Sequence, residues 1–248
     1  MEKPLTVVCI SDTHSMFIDL PPGDIFIHCG DFSNCGEYKD VQNFISWIKQ
    51  IPFKYKIVIG GNHDTFLDTK KYEEILKDIF HKGQPWYHLE LQKELKENCI
   101  YLENSSVNIE GYKIWGSPYS PTILHNPWAF QVDPEDGEEF WKIMEEGSDI
   151  VLTHGAPLGH GSYVHHYKRT RGEWGDEALA KRIKEVKPLY HIFGHVHEGY
   201  GMTEEDGIQY INCAVLDETY YPAKQAIIFQ IPRRTISQNQ NEDKLQQA

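Results

Sequence analysis

"LTVVCISDTH" (Leu5–His14) is an apolar, β-branched run that stops abruptly on Ser, Asp, Thr and His. A run of that length without a helical period reads as a buried strand. A strand that ends on ionisable side chains carries them at its C-terminal edge, where open α/β sheets bind ligands. The same arrangement recurs along the chain. "DIFIHC" (24–29) runs into Gly30-Asp31, and "KIVIGG" (56–61) runs into Asn62-His63-Asp64. "DIVLTHG" (149–155) carries His154 at its end, and "LYHIFGHVH" (189–197) passes from strand into a loop with His195 and His197. Carboxylate, amide or imidazole groups stand at every one of these ends, and Lys or Arg at none.

Between the strands lie helical patterns. "EYKDVQNFISWIKQI" (37–51) places Val41, Phe44, Ile45, Ile48 and Ile51 on one face. "KYEEILKDIF" (71–80), "EEFWKIMEEG" (138–147) and "DEALAKRIKEVK" (176–187) also read as helices, the last with Asp176 near its start, as the helix dipole prefers. Short runs at 99–102, 106–110 and 112–116 suggest antiparallel strands, the last two joined as a hairpin across Glu110-Gly111. Runs at 208–216 and 224–231 close the sheets. Strands alternating with helices predict an α/β fold. The antiparallel runs add a second sheet, giving a two-sheet β-sandwich flanked by helices in an α/β/β/α order. Segments 117–137 and 156–175 are expected to be long loops. Residues 1–236 are expected to form a single domain, and the polar segment 237–248 a disordered tail.

The chain has 248 residues, 40% hydrophobic and 25% charged, and its formal net charge is −13. Its apolar runs are strand-length, far short of the roughly 18 residues of a membrane span. The N-terminus lacks signal-peptide organisation. Cys9, Cys29, Cys35, Cys99 and Cys213 form no C-x-x-C pair and read as reduced thiols of a cytoplasmic protein. The acidic balance argues against extended nucleic acid as a partner, because it would repel a polyphosphate backbone. Work on a phosphate would need positive charge supplied locally, and bound metal would supply it.

The strand-end residues suit that role. Carboxylate, imidazole and amide oxygen together favour divalent Mn, Fe or Zn. Asp12, His14, Asp31, Asn62, His154, His195 and His197 are too many for one tetrahedral ion. They suit two ions about 3.5–4 Å apart with a shared carboxylate, a pair that grips a phosphoryl group and lowers the pKa of bound water from about 15.7 toward neutrality.

The ordered set "SDTH", "HCGDFS", "GGNHD", "THG" and "GHVH" resembles the calcineurin-like metallophosphoesterase superfamily, and spans Asp12 to His197. "CISDTHS", "HCGDFS" and "FGHVHEGYG" resemble its metallophosphoesterase-domain (MPPED, or 239AB) branch, whose members act on phosphodiesters including cyclic nucleotides. The resemblance implies that Asp12, His14, Asp31 and His197 hold a first metal, and that Asp31, Asn62, His154 and His195 hold a second, with Asp31 bridging. Manganese is the first expectation, with iron, zinc or cobalt also fitting. It implies that His63 stands over the substrate as general acid or transition-state stabiliser, with Asp64 orienting it, and that a metal-bridging hydroxide attacks phosphorus. One departure matters: many superfamily phosphatases carry Asp-Arg after the G-D motif, whereas this chain reads "GDFSNCG". The Arg that grips phosphate in protein Ser/Thr phosphatases is absent, which disfavours that substrate class, and the branch resemblance implies a small phosphodiester or nucleotide as substrate. A phosphomonoesterase, or a catalytically silent scaffold on the same fold, is the alternative.

Independently of the resemblance, a histidine beside a carboxylate has its protonated form favoured and can protonate a leaving alkoxide. The segment 161–174, with His165, His166, Lys168, Arg169 and Arg171, is either an anion-holding or a solvated basic loop. Trp115, Tyr119, Trp128 and Phe130 are either packing anchors or stacking surfaces for a base. His28 and His191 precede their motifs within strands and are expected in the core or behind the ligands. Glu198 is available as a hydrogen-bond acceptor behind them.

Overall fold

Strand β1 (Leu5–Ile10) is buried on both faces, and its side chains alternate between two different cores. Val8 and Ile10 meet helices, while Val7 and Cys9 meet a second sheet. The period-2 geometry of a strand makes this division automatic. The computed structural model describes residues 3–72, 74, 87–122, 128–167 and 170–234. Most of the helix expected over 71–80, Lys168, Arg169 and the tail 237–248 lie outside the described residues.

The first sheet contains β1, β2 (Ile25–Cys29), β3 (Tyr55–Ile59), β4 (Ile100–Tyr101) and β15 (Ile227–Ile231), in the order β15-β1-β2-β3-β4. All neighbours are parallel except β15, which runs antiparallel to β1. The second contains β5 (Ser105–Ile109), β6 (Tyr112–Ser117), β9 (Ile150–Thr153), β12 (Tyr190–Phe193), β13 (Gly201–Glu205) and β14 (Ile208–Asn212), in the order β13-β14-β12-β9-β6-β5. Its centre, β14-β12-β9-β6, is parallel.

Three apolar layers result. Helices α1 (Tyr38–Gln50) and α2 (His88–Asn98) bury Val41, Phe44, Ile45, Ile48, Leu91 and Leu95 against the first sheet. Ile57, Ile114, Leu152 and Ile192 belong to the layer between the sheets. Leu179 and Ile183 of α4 (Glu177–Val186) pack with Trp115, Val151 and Phe193 on the far face of the second. This is the expected two-sheet sandwich flanked by helices.

Local signals explain the ends. Asp176 caps α4, its carboxylate accepting the Leu179 N–H at 2.9 Å. The β5–β6 hairpin turns on Glu110 and Gly111, with φ of 51° and 83°, the left-handed pair a two-residue turn demands.

Four expectations are corrected. The run at 99–102 is not antiparallel: β4 lies at the edge of the first sheet, parallel to β3. Segment 156–175 is not a loop throughout: β10 (Tyr163–Tyr167) and β11 (Thr170–Glu173) form an antiparallel hairpin there. Segment 117–137 contains the short parallel pair β7 (Ser120–Pro121) and β8 (Gln131–Val132). The helix expected over 138–147 is a single turn, α3 (Gly137–Phe140), tightening into a 3₁₀ turn at 141–143. Among the described residues no helix is long and apolar enough to cross a membrane.

Candidate metal centre

The parallel strands of both sheets deliver their following residues to one place. Asp12 follows β1, Asp31 follows β2, and Asn62 and His63 follow β3. His154 follows β9, while His195 and His197 follow β12. Oxygen and nitrogen atoms of Asp12, His14 and His197 lie within 4.8 Å of one another, as do those of Asp31, His154 and His195. Asn62 joins the second group: its Oδ1 stands 3.0 Å from His154 Nε2. The Asp31 carboxylate lies between the groups, its Oδ2 3.8 Å from His14 Nε2 and 3.3 Å from His154 Nε2. All seven expected ligands are therefore brought together.

The backbone is bent to achieve this. Asp12, His14, Asp31 and His195 have positive φ values of 55°, 41°, 55° and 67°, a region costly for residues other than glycine and concentrated at functional sites. Close approach adds a second constraint. A Cβ on Gly194 would fall 2.1 Å from Asp12 Oδ2, and one on Gly61 2.3 Å from Asp31 Oδ1. Both carboxylates also accept main-chain N–H groups: His195 N donates to Asp12 Oδ2 at 2.9 Å, and His63 N donates to Asp31 Oδ1 at 2.8 Å.

Hydrogen bonds on the outer ring nitrogens orient two of the imidazoles. His154 Nδ1 donates to the Cys29 carbonyl (2.8 Å) and His197 Nδ1 to the Asp217 carbonyl (2.9 Å). Each Nε2 then faces the centre, the nitrogen a metal ion would take in exchange for its proton. His14 is 3% exposed. Among the described residues, both of its ring nitrogens, and Nε2 of His195, are buried without a hydrogen-bond partner. Buried polar atoms in that condition are rare and call for a ligand. The orphaned nitrogens, inward-facing Nε2 atoms and shared carboxylate fit divalent metal.

The electrostatics follow from burial among these neighbours. Burial pushes the Asp12 carboxyl up, but the His197 hydrogen bond and the charges of His154 and His197 hold it well below the carboxylate range. Asp31 is also held low against burial, by His154 and His63 first. Burial lowers His154, yet Asp31 and Asp12 outweigh it and push the ring up to about 9. Burial, reinforced by neighbouring histidines, takes His14 and His195 down to about 3. The centre thus holds its carboxylates ionised and these two imidazoles neutral, the forms that bind metal.

Behind the centre, His28 and His191 are fully buried. His28 Nε2 meets Thr13 Oγ1 at 3.1 Å, and His191 Nε2 meets Thr153 Oγ1 at 2.8 Å. Each steadies the threonine that precedes a ligand histidine.

The role expected of Asp64 is corrected. Its carboxylate does not orient the His63 ring. It accepts the N–H groups of Asp31 (2.8 Å), Gly61 (2.9 Å), Ser33 (3.0 Å) and Phe32 (3.4 Å), and the Ser33 hydroxyl (2.7 Å). It pins the loop after β2 to the loop after β3. The His63 ring is fixed instead by Nδ1 donating to the Asn34 carbonyl (2.6 Å) and by Trp128, 4.1 Å away between centroids. A His63 ring nitrogen also lies within 4.8 Å of His14 and Asp31, adjoining the ligand groups.

A cleft opens over the centre, enclosing about 760 Å³ with its mouth. Trp128, Val164, Trp174, Glu198, Glu218 and Tyr220 line it alongside the ligands. Trp128 thus faces the cleft, while Trp115 and Phe130 are core and Tyr119 packs against them. Trp174, Glu218 and Tyr220 had no motif to mark them. Tyr220 is brought in by the turn after Asp217, its ring 4.8 Å from His14 and 5.0 Å from His197. Glu198 accepts the His165 N–H in a short hydrogen bond.

Parallel strands from two stacked sheets that converge on a histidine–aspartate centre define a metallophosphoesterase fold. The sequence profile described as calcineurin-like phosphoesterase matches residues 5–199, and the chain belongs to that family. It is 36% identical over 234 residues to metallophosphoesterase domain-containing protein 1 of Homo sapiens, covering 91% of this chain and 70% of the human one. A Caenorhabditis elegans relative, UPF0046 protein K07C11.7, is 34% identical over 94% of this chain and 77% of its own. Among solved structures, a phosphopantetheinyl hydrolase from Mycobacterium tuberculosis superposes with a TM-score of 0.55 at 13% identity, covering 94% of this chain and 99% of that one. The Thermus thermophilus protein TT1561 gives 0.53 at 13%, covering 92% and 99%. At that identity the structures share the fold. The family makes this chain a metal-dependent phosphoesterase that uses divalent ions.

Proposed function

We propose that the chain is a phosphodiesterase acting on small phosphodiesters, cyclic nucleotides among them, in the cytoplasm. Asp12, His14, Asp31 and His197 would hold one divalent ion, manganese being the first expectation. Asp31, Asn62, His154 and His195 would hold the other. Bound there, the ions supply Lewis acidity toward phosphoryl oxygen and an activated water.

The chain's own residues do the rest. Asp31 accepts from the His63 main chain at 2.8 Å, so the bridging carboxylate and the acid are set relative to each other. The Asn34 carbonyl occupies His63 Nδ1, which leaves Nε2 to donate a proton to the departing alkoxide. Trp128 packs on that ring and keeps water from one of its faces.

The observation that carries the reading is the pair of ligand groups meeting at Asp31, with buried ring nitrogens lacking partners. Preference for diester over monoester is supported by the cleft lining, where none of the described residues is Lys or Arg. A dianionic monoester would gain no Lys or Arg side chain there. The test is hydrolysis of bis-p-nitrophenyl phosphate and p-nitrophenyl phosphate after EDTA treatment and Mn add-back. Diester-preferring activity restored by Mn supports the reading, and folded, Mn-loaded protein inert toward the diester refutes it.

A further inference from the structure

Residues 216–224 form a strap that braces the centre from outside. The strap closes on itself: Leu216 bridges to Pro222, the Asp217 N–H donates to the Tyr221 carbonyl at 2.9 Å, and the Lys224 N–H donates to the Val215 carbonyl at 3.1 Å. The Asp217 carboxylate shapes the turn within it. Its Oδ1 accepts the N–H groups of Thr219 and Tyr221, both at 2.9 Å, and the Thr219 hydroxyl at 2.7 Å. Tyr220 is left-handed there, with φ of 62°, a conformation that persists only where surrounding contacts hold it.

The strap reaches two ligands of the same group. The Asp217 carbonyl accepts from His197 Nδ1 at 2.9 Å. The Tyr220 ring stands edge-on to His14 and to His197, at 4.8 and 5.0 Å between centroids. Both imidazoles belong with Asp12, whereas His154 of the other group is oriented from β2, by the Cys29 carbonyl. Lys224 ties the strap to the ligand turn. Its half-buried ammonium donates to the carbonyl of His197 itself and, at 2.9 Å, to that of Leu216. Hydrogen bonds from an ionised donor are the strong ones, and this one spans a ligand's main chain and the first residue of the strap.

Resting on the two-ion reading above, we propose that Lys224 is a positioning residue for the ion held by Asp12, His14 and His197: it latches segment 216–224 to the ligand turn and so sets the His197 ring. Without the ammonium, two carbonyls face an apolar side chain, and the turn at His197 can part from the Asp217 carbonyl. The two ions then lean on different supports, and one can be lost without the other.

Mn binding to wild type, Lys224→Met and Lys224→Arg tests this, with unbound Mn counted from its six-line electron paramagnetic resonance signal. Lys224→Met should weaken one of the two ions by about 10- to 100-fold, as removal of a support behind a ligand does, and leave the other within about twofold. Lys224→Arg, which can also donate to two carbonyls, should recover most of the loss. Anomalous diffraction from Lys224→Met crystals should place the retained ion at His154 and His195. Asp217→Ala opens the same strap from an exposed side chain and should produce the same one-sided loss, so it decides the matter if Lys224→Met fails to fold. Equal weakening of both ions, or of neither, overturns the latch while leaving the centre intact. Wild type that binds fewer than two Mn refutes the two-ion reading itself.

Discussion

Replacing Asp64 should damage the centre without touching a metal ligand. Its buried carboxylate accepts from the main-chain N–H of Asp31, Phe32, Ser33 and Gly61 and from the Ser33 hydroxyl. Each buried donor left unsatisfied costs about 1–3 kcal/mol. Water entering the vacated space and relief of repulsion from Asp31 offset part of this, so Asp64→Ala should cost about 3–5 kcal/mol. At roughly 2–4 °C per kcal/mol for a chain of this size, Tm should fall by about 10 °C. Asp64→Asn keeps the volume, and its amide oxygen can still face three of the donors, so its cost should be about 1–2 kcal/mol. The pH dependence separates the two roles of the carboxyl. Burial and the Asp31 charge push it up to about 7 in the folded, metal-free chain, whereas unfolded it titrates near 4. The folded form therefore binds a proton the unfolded form loses. That contribution is complete below about pH 4 and lost as pH rises through about 7. The gap in Tm between wild type and Asp64→Asn in EDTA should accordingly shrink from pH 5 to pH 8. Differential scanning calorimetry reads all three proteins. An Asp64→Ala chain melting within about 2 °C of wild type would refute the pinning role.

His28 and His191 are taken down to about 3 by burial first, so they stay neutral in the folded chain while the unfolded one protonates them below about 6.5. Their stabilisation is present above that pH and should be lost at about 1.4 kcal/mol per unit for each as pH falls, a slope that His28→Gln should reduce in calorimetry. Gly194→Ala places a methyl group on the Asp12 carboxylate and should at least halve the metal retained after gel filtration, read by plasma emission spectrometry. Trp128→Ala frees one face of the His63 ring and should lower kcat about tenfold on an unactivated diester, and much less on a p-nitrophenyl ester whose leaving group needs little protonation. Equal losses on both would argue that Trp128 binds substrate and does not support the acid.

The fold and the ligand positions were legible because one constraint wrote both. A parallel strand buried on two faces must be apolar throughout, and it must stop being apolar where it reaches the ligand. "LTVVCISDTH" and "KIVIGGNHD" therefore announce strand, end and site together. The hairpin β10–β11 was invisible for the opposite reason. Its segment, "YVHHYKRTRGE", is polar and glycine-interrupted, and pairing with itself sets its structure more than burial in a sheet does. Helix α2 has a weak apolar stripe, with Leu91 and Leu95 its buried residues, too little to mark it by period. For Asp64 the resemblance implies a contact with the His63 ring that adjacency in sequence does not ensure. The turn at Asn62 and His63 instead directs the two side chains to different neighbours. Tyr220 and Glu218 reach the cleft through tertiary contact alone, and no local pattern could have placed them there.

Everything proposed for the centre depends on two divalent ions meeting at Asp31. Anomalous diffraction from crystals grown with Mn tests this most directly. Two peaks are expected about 3.5–4 Å apart, one ringed by Asp12, His14 and His197 and the other by Asn62, His154 and His195, with the Asp31 carboxylate touching both. A single peak, or two peaks without Asp31 between them, would contradict it.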